Sequence, residues 1–480
     1  MLSENNMNQP KLSLLARLTK LQPSSIKPVL ALSLITVICA TFFISPVASY
    51  LDFNQSTSAT LVASIIVLFA TSVIPEPITA LLLMVLAMLL SIAPADVVFS
   101  GFASTACWLI FSGLVIGIAI TETGLAARMA SVFSHKLDSG YLQLVTGIVV
   151  IGILLGFVMP SSVGRVVVLM PIVVAIACNC GFDDNSNGRI GLVLAAAFGC
   201  HIPTFAILPA NIPNMVMIGT AETIHQWTPK YAEYLLLHFP VLGALKSVLL
   251  IALILWLYPD QPKASNQQKS SERVSRNEYM LIAVMSVTLL MWVTDSIHHI
   301  SSAWVGLAAA TLLLMPKIGL VSQDSFSKKV NVNSLLVVSG LLALGAIINH
   351  TGLGALLADQ LVDKLPLQQG DDLQNFIALS MTALFVGISG TLASVPALLT
   401  PMAEQLSANT GFSLEAVLMT QVFGFSTVVL PYQSVPLLMA LPLGGVAIGH
   451  AAKLCLYLAA ATILLLLPLN YLWWQLLGWI

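Results

Sequence analysis

Long runs of apolar residues limit what this chain can fold into more than any other feature. Val29 to Ser49, Thr79 to Ala93, Leu142 to Val158, Val248 to Tyr258, Tyr279 to Thr294, Trp304 to Met315 and Leu454 to Leu469 carry no charged residue. Crossing roughly 30 Å of hydrocarbon as a helix takes about 17 to 25 such residues. Several runs approach or reach that length, and with shorter and interrupted runs included the sequence predicts about eleven crossings. Of the 480 residues 58% are hydrophobic and 8% charged, against about 25% charged in a soluble globular chain. No soluble fold could hide so much apolar surface. The expected fold class is therefore an all-α polytopic membrane protein.

Charge placement orients it. Residues 1–28 hold Lys11, Arg17, Lys20 and Lys27 against Glu4 alone, and the apolar run that follows is too long for a signal-peptide core. The positive-inside rule puts this tail in the cytoplasm, and with it the polar stretch 259–278, which carries Lys263, Lys269, Arg273 and Arg276. An odd number of crossings would leave the C-terminus outside. There Tyr471, Trp473, Trp474 and Trp479 read either as an interfacial aromatic belt or as a tail packed on a neighbouring helix. A net charge of −2 with no basic stripe argues against a nucleic-acid partner. The six cysteines lack CxxC or paired-ligand spacing and read as small buried hydrophobes; no metal or cofactor is expected.

The halves on either side of 259–278 repeat one another. Ser112-Gly113 followed by Thr123-Gly124-Leu125 recurs as Ser339-Gly340 followed by Thr351-Gly352-Leu353. Gly156 to Pro171 matches Gly387 to Pro401, and Phe198-Gly199 through Leu208 to Pro213 matches Phe423-Gly424 through Leu430 to Pro436. Three anchors in the same order divide the chain into a tail (1–28), a first helix and loop (29–57), repeat 1 (58–258), a linker (259–278) and repeat 2 (279–480). If each repeat holds an odd number of crossings, the copies sit inverted, the usual architecture of secondary transporters.

Within both repeats the helical pattern is interrupted. Pro160-Ser161-Ser162 and Gly390-Thr391 are clusters that a helix does not run smoothly through. In hydrocarbon such breaks survive only where protein or a water-filled cavity satisfies the freed backbone groups. Helix N-termini at a break suit an anion, whereas unwound carbonyls and hydroxyls suit a hard cation such as Na⁺. The alternative for each break alone is a proline kink between packed helices. Gly113 with Gly117, and Gly152 with Gly156, have the spacing that lets helices approach closely.

At these residues the chain resembles the divalent anion/sodium symporter family of the wider ion transporter superfamily, over about 400 residues. Pro75-Glu76-Pro77-Ile78-Thr79-Ala80-Leu81-Leu82, Ser100-Gly101-Phe102-Ala103-Ser104 and Glu122-Thr123-Gly124-Leu125-Ala126-Ala127-Arg128 are similar to stretches of that family in order and spacing. The resemblance implies two inverted repeats, each with a re-entrant helical hairpin and a broken helix. It also implies homodimers and symport of dicarboxylates, citrate or sulfate. Family members place a Ser-Asn-Thr triplet in each hairpin to bind sodium and substrate carboxylate. Here the triplet positions hold Ser161, Ser162 and Val163, then Thr391, Leu392 and Ala393, so only the first position keeps a hydroxyl in both. The later segment is partly kept as Asn211-Ile212-Pro213-Asn214 and Ser434-Val435-Pro436-Leu437.

The candidate substrate-binding residues are Ser161, Ser162, Arg165, Thr391, Ser394, Asn214 and Gln433. The candidate cation-binding residues are Ser161, Ser162, Asn211, Thr391 and Ser434. Arg165 stands out because a charge at that depth costs at least about 2.5 to 3.5 kcal/mol on insertion scales. It could fork onto a substrate carboxylate or sulfate, stand in for a sodium ion, or pair structurally with backbone carbonyls or an acid such as Glu122. His201 could relay a proton or serve as a packing donor. Glu76, between two prolines, reads as a structural cap. Without an HExxH, GxSxG or GxxxxGK[ST] motif or a His/Cys cluster, neither an enzyme nor an ATP-driven pump is expected. The leading reading is cation-coupled (Na⁺ or H⁺) symport of a small anion by alternating access, in a bacterial inner membrane. Anion exchange and cation/proton antiport are the alternatives.

Overall fold

A computed structural model describes residues 23–44, 52–125, 128, 140–159, 161–262, 274–316 and 319–480. Most of the basic N-terminal tail, Pro160 and most of the polar linker lie outside the described residues. One helix, α1 (Pro23–Phe43), precedes the repeats, and α2 (Phe53–Thr71), with an Asp52 capping box to Gln55 at its start, leads into repeat 1.

Repeat 1 then runs α3 (Glu76–Leu89), α4 (Thr105–Thr123), α5 (Tyr141–Val158), α6 (Ser162–Asn179), α7 (Asn187–Gly199), α8 (Ile212–His225) and α9 (Tyr231–Leu257). Repeat 2 follows in the same order: α10 (Arg276–Val293), α11 (Ser302–Leu314), α12 (Val332–His350) and α13 (Asp372–Ser389). Next come α14 (Ser394–Leu399), α15 (Ala403–Thr410), α16 (Leu414–Ser426), α17 (Val435–Gly444) and α18 (Ile448–Leu477). Nine helices among the described residues are long and apolar enough to cross a membrane, and several shorter apolar helices accompany them. The protein is thus an all-α polytopic membrane protein. Nine falls short of eleven because the broken helices are divided into halves, such as α8 and α17, that are too short to be counted alone.

The sequence anchors acquire physical reasons. Both Thr-Gly-Leu anchors end a helix with glycine in the left-handed region, Gly124 at φ 77° and Gly352 at φ 73°, where a side chain would be strained. The Phe-Gly anchors are crossing points. A Cβ on Gly199 would stand 2.9 Å from the Val149 Cα of α5, and one on Gly424 would stand 2.5 Å from the Ala383 carbonyl carbon of α13. In each repeat, then, the first hairpin arm lies directly on the first half of the broken helix. The last helix of each repeat contains a π-helical turn, beginning at Phe239 and Thr462; these are 223 residues apart, the same separation as Pro213 and Pro436.

The repeats exchange partners. Helix α4 packs on α11 and α12 packs on α3; likewise α6 packs on α17 and α14 packs on α8. The second arm of each hairpin therefore rests on the far half of the other repeat's broken helix. The aromatic C-terminal segment is packed rather than spread as a belt. Trp474 is fully buried against His238 and Phe376, and Trp473 donates to the Leu236 carbonyl at 3.0 Å. Cys107, Cys180, Cys200 and Cys455 are buried, and Cys39 and Cys178 are exposed.

Candidate functional site

Helix α7 stops at Gly199, and two short 3-10 turns (Pro203–Ala206 and Leu208–Ala210) plus an extended Asn211 separate it from α8. Pro203, Pro209 and Pro213 make the interruption unavoidable, because each lacks the N–H that a continuing helix would use. Carbonyls at the cut ends are left without intrahelical donors. Arg165 supplies them. It sits in the first turn of α6, fully buried, behind the Ser161 cap. Its Nε donates to the Cys200 carbonyl at 2.8 Å and Nη1 to the Ala210 carbonyl at 3.1 Å. Nη1 also bonds the Met159 carbonyl at the hairpin break. Nη2 reaches Ser162 Oγ at 2.8 Å, Thr204 Oγ1 at 2.9 Å and the Ala210 carbonyl at 3.1 Å.

Every guanidinium N–H is engaged, so one side chain ties the tip of the hairpin to both cut ends of the broken helix. No carboxylate among the described residues forms an ion pair with it. Glu122 is elsewhere, 2.6 Å from both Lys329 Nζ and Ser325 Oγ. The surrounding hydroxyls extend the network: Ser162 bonds Asn211 Oδ1, and Asn211 Nδ2 donates to Thr204 Oγ1 at 3.1 Å. Because Ser162 gives its proton to Asn211, the His201 nitrogen 3.2 Å away, Nδ1, is the one that carries hydrogen. His201 Nε2 is buried without a partner.

Asn214 spends its amide nitrogen on three carbonyls of the break, Phe205 at 3.0 Å, Ile207 at 2.9 Å and Leu208 at 3.2 Å, while its Oδ1 has no partner. In repeat 2, Gln433 plays the pinning part. Its Oε1 accepts from the Val429 and Leu430 N–H groups, each at 2.8 Å, and its Nε2 donates to the Gly387 carbonyl at 2.8 Å on the hairpin. Tyr432 Oη adds a bond to the Ile388 carbonyl at 2.5 Å. Ser434 caps α17, and Ser394 folds back onto the Thr391 carbonyl at 2.6 Å. The two breaks adjoin: the Phe205 and Phe425 rings lie 5.9 Å apart, and the first 3-10 turn packs on α16.

Most of the polar residues picked from sequence are thus committed to holding broken backbone in place. Two are not. The Ser161 hydroxyl accepts from the Gly164 N–H at 3.1 Å but has its own hydrogen to give, and the half-buried Thr391 hydroxyl bonds no described residue. These are the first positions of the two triplets. Met159, Cys200, Thr204, Ala210 and Lys246 went unnoticed in sequence, the first four because they act through carbonyls or an inconspicuous hydroxyl. Lys246 could have been found, since it interrupts the apolar run that ends at Leu257 as plainly as Arg165 interrupts its own. Among the described residues no group of three or more His, Cys, Asp or Glu could hold a metal ion.

Twice-repeated hairpins and broken helices, with the breaks adjoining, define the chain as a helical membrane protein of duplicated architecture. It belongs to the family of the sodium:sulfate symporter transmembrane region, whose model matches residues 27–480. It is similar to a membrane protein of Cupriavidus necator, 26% identical over 338 residues, covering 68% of this chain and 66% of that one. It is also similar to the L-tartrate/succinate antiporter of Escherichia coli, 28% identical over 284 residues, covering 55% of this chain and 57% of that protein. The match thus spans just under two thirds and just over half of those relatives. The fold resembles the YdaH transporter of Alcanivorax borkumensis, with a TM-score of 0.53, 16% identity and coverage of 80% and 87%.

Proposed function

We propose that this protein exchanges small dianions, of the dicarboxylate kind, across the bacterial inner membrane by alternating access, without a sodium ion at the repeat-1 break. The observation that carries the reading is the occupancy of that break. Three carbonyls and two hydroxyls converge there, a donor set suited to a hard cation, and the Arg165 guanidinium already fills it. Arg165 takes a cation's place and does not fork onto substrate, because it has no N–H to spare. The hydroxyls of Ser161 and Thr391 remain to donate to the solute. That a relative is an L-tartrate/succinate antiporter agrees with exchange. The reading also keeps the N-terminal tail and the 259–278 linker on the cytoplasmic side, the repeats inverted, and two copies in a homodimer.

Proton-coupled symport is the second reading, favoured by one observation, the unpartnered Nε2 of buried His201. Counterflow in proteoliposomes separates the two. Succinate, tartrate, citrate, sulfate and phosphate are tested with Na⁺ present or replaced by choline, at two pH values. Exchange predicts tracer uptake that needs internal substrate and ignores Na⁺ and ΔpH. Uptake driven by a Na⁺ gradient alone would overturn the proposal, and uptake that follows ΔpH would select the second reading.

A further inference from the structure

The second arms of the two hairpins differ. In repeat 1, α6 runs unbroken through Pro171. In repeat 2 the arm holds both Pro396 and Pro401, and a 3-10 turn, Thr400–Met402, cuts it between α14 and α15. Each proline removes an N–H that a continuing helix would use. His225, in the last turn of α8, spans that cut with a side chain only 1% exposed. Its Nε2 lies 2.9 Å from the Thr400 carbonyl on one side, and its Nδ1 lies 3.1 Å from Glu404 Oε1, in the first turn of α15, on the other.

The partners fix how many protons the ring needs. A carbonyl only accepts, so Nε2 carries a hydrogen, and a neutral imidazole has no second one. Nδ1 would then turn a lone pair towards a carboxylate oxygen, so the contact closes only with one more proton between them. Helix α8 supports that charge, because its negative end falls at His225. The other charged groups nearby are engaged or set apart. One turn back, Glu222 accepts from the Thr105 N–H at 2.9 Å and from its hydroxyl at 2.6 Å, at the start of α4. Glu122, at the far end of α4, is held by Lys329. Asp359, on the helix packed against α15, takes Gln405 Nε2 at 3.2 Å. Of the other elements packed on α8, α14 and the 3-10 turns carry no charged side chain, and α12 ends in the exposed His350. Helix α16 carries Glu415 at its start, but it meets the cut through Gln421, whose Oε1 accepts from Thr400 Oγ1 at 3.3 Å.

We propose that His225 and Glu404 form a proton-binding site that stiffens the jointed arm of repeat 2. With the proton bound, one imidazolium ties both sides of the cut to α8. It thereby steadies Thr391, whose carbonyl is bonded by Ser394 at the head of the same arm. Without the proton the ring keeps only the Thr400 carbonyl, Glu404, 75% exposed, turns to water, and the arm flexes at Pro401. His225 acts through the arm and is a positioning residue. Protonation should therefore tighten solute binding and slow its release. That effect rests on the exchange reading, whereas the proton site itself does not.

Two variants at the exposed Glu404 test this without disturbing the interior. E404A removes the contact at every pH. E404Q offers an amide N–H to the bare Nδ1 and closes the contact without the proton. Both are compared with wild type at pH 5.5 and pH 8.5, so that effects of pH on the solute and on other groups cancel within each pH. In detergent, full-length E404A should melt about 2 °C or more below wild type at pH 5.5 and together with it at pH 8.5. E404Q should melt above E404A at both. In liposomes, KM and maximal rate of succinate exchange should each be about threefold lower in wild type than in E404A at pH 5.5, the scale of one exposed ion pair. The two should agree at pH 8.5, while E404Q keeps the lower values at both. A gap between wild type and E404A that does not change with pH, or an E404Q that matches E404A at pH 8.5, overturns the proton site. A pH-dependent Tm gap with identical kinetics in all three proteins overturns its control over the solute. A wild type that exchanges no dianion refutes the exchange reading instead, and Tm alone then judges the proton site.

Discussion

Replacing Arg165 with serine tests the occupied break most directly. The change removes the donors of the Met159, Cys200 and Ala210 carbonyls at once, all in the buried interior. A buried acceptor left without its partner costs about 1 to 3 kcal/mol, so the three together cost about 3 to 9 kcal/mol. For a chain of this length each kcal/mol lowers Tm by about 2 °C, the lower end of the usual range, giving a fall of about 6 to 18 °C. The vacated oxygens are a cation site, and an ion that binds only the folded state restores about 2.7 kcal/mol at a hundredfold excess over its Kd. Intrinsic tryptophan fluorescence during heating in detergent, in NaCl or choline chloride, reads both effects. The expected result is a large loss of Tm in choline, partly reversed by Na⁺, with the wild type indifferent to the salt. If Arg165→Ser melts within about 2 °C of wild type, the guanidinium does not hold the break together. If it melts low but ignores Na⁺, the donor set is not a cation site.

Other outcomes follow from the same geometry. Gly152→Ala would place a Cβ 2.6 Å from the Gly199 carbonyl carbon, and Gly424→Ala one 2.5 Å from that of Ala383. Backbone cannot yield as a side chain does, so each should destabilise by at least about 1 to 3 kcal/mol, seen as lost folded yield in size-exclusion chromatography. Thr391→Ala breaks no pinning contact, and should raise KM for the exchanged anion while leaving Tm within about 2 °C; Ser161→Ala should raise KM too, but it also removes the α6 cap, at a cost of about 0.5 to 2 kcal/mol. At the start of α10, Arg128 and then the Ser275 N–H pull the Glu278 carboxyl down to about 2. A folded-state value below the ordinary one adds stability above about pH 4.5, and that stability is lost as pH falls towards 2. The Tm gap between wild type and Glu278→Gln should therefore narrow as pH drops from 6 to 3, and a constant gap would refute the assignment.

Much of the fold was legible because the features that build it are chain-local. Apolar length gives helices, Pro and Gly clusters give breaks, and matching clusters in order give a duplication. The Thr-Gly-Leu and Phe-Gly anchors were visible as repeated letters before their causes were, a left-handed helix end in one case and a backbone crossing in the other. The site was legible only in outline. Arg165 announced itself by its charge, yet what it binds are carbonyls of Met159, Cys200 and Ala210, and a carbonyl leaves no trace in residue type. Asn214 and Gln433 were picked as pocket residues because they are polar in apolar surroundings. The sequence could not tell a polar group that faces a solute from one that props up its own backbone. Lys246 carried the same signal as Arg165, a charge inside an apolar run, and only its partner, the Ser426 carbonyl in the other repeat, leaves no trace in the sequence.

The exchange of partners between repeats has a consequence for how the chain is made. Helix α6 leaves the ribosome early, but the helix that covers it, α17, is almost the last to be synthesised. Throughout that interval the face of α6 that meets α17 must rest against lipid or a chaperone, while α5 and α7 already cover the rest of it. A product truncated at the linker would keep that face bare and become a target for proteolysis, whereas two separately translated halves supplied together could still complete each other.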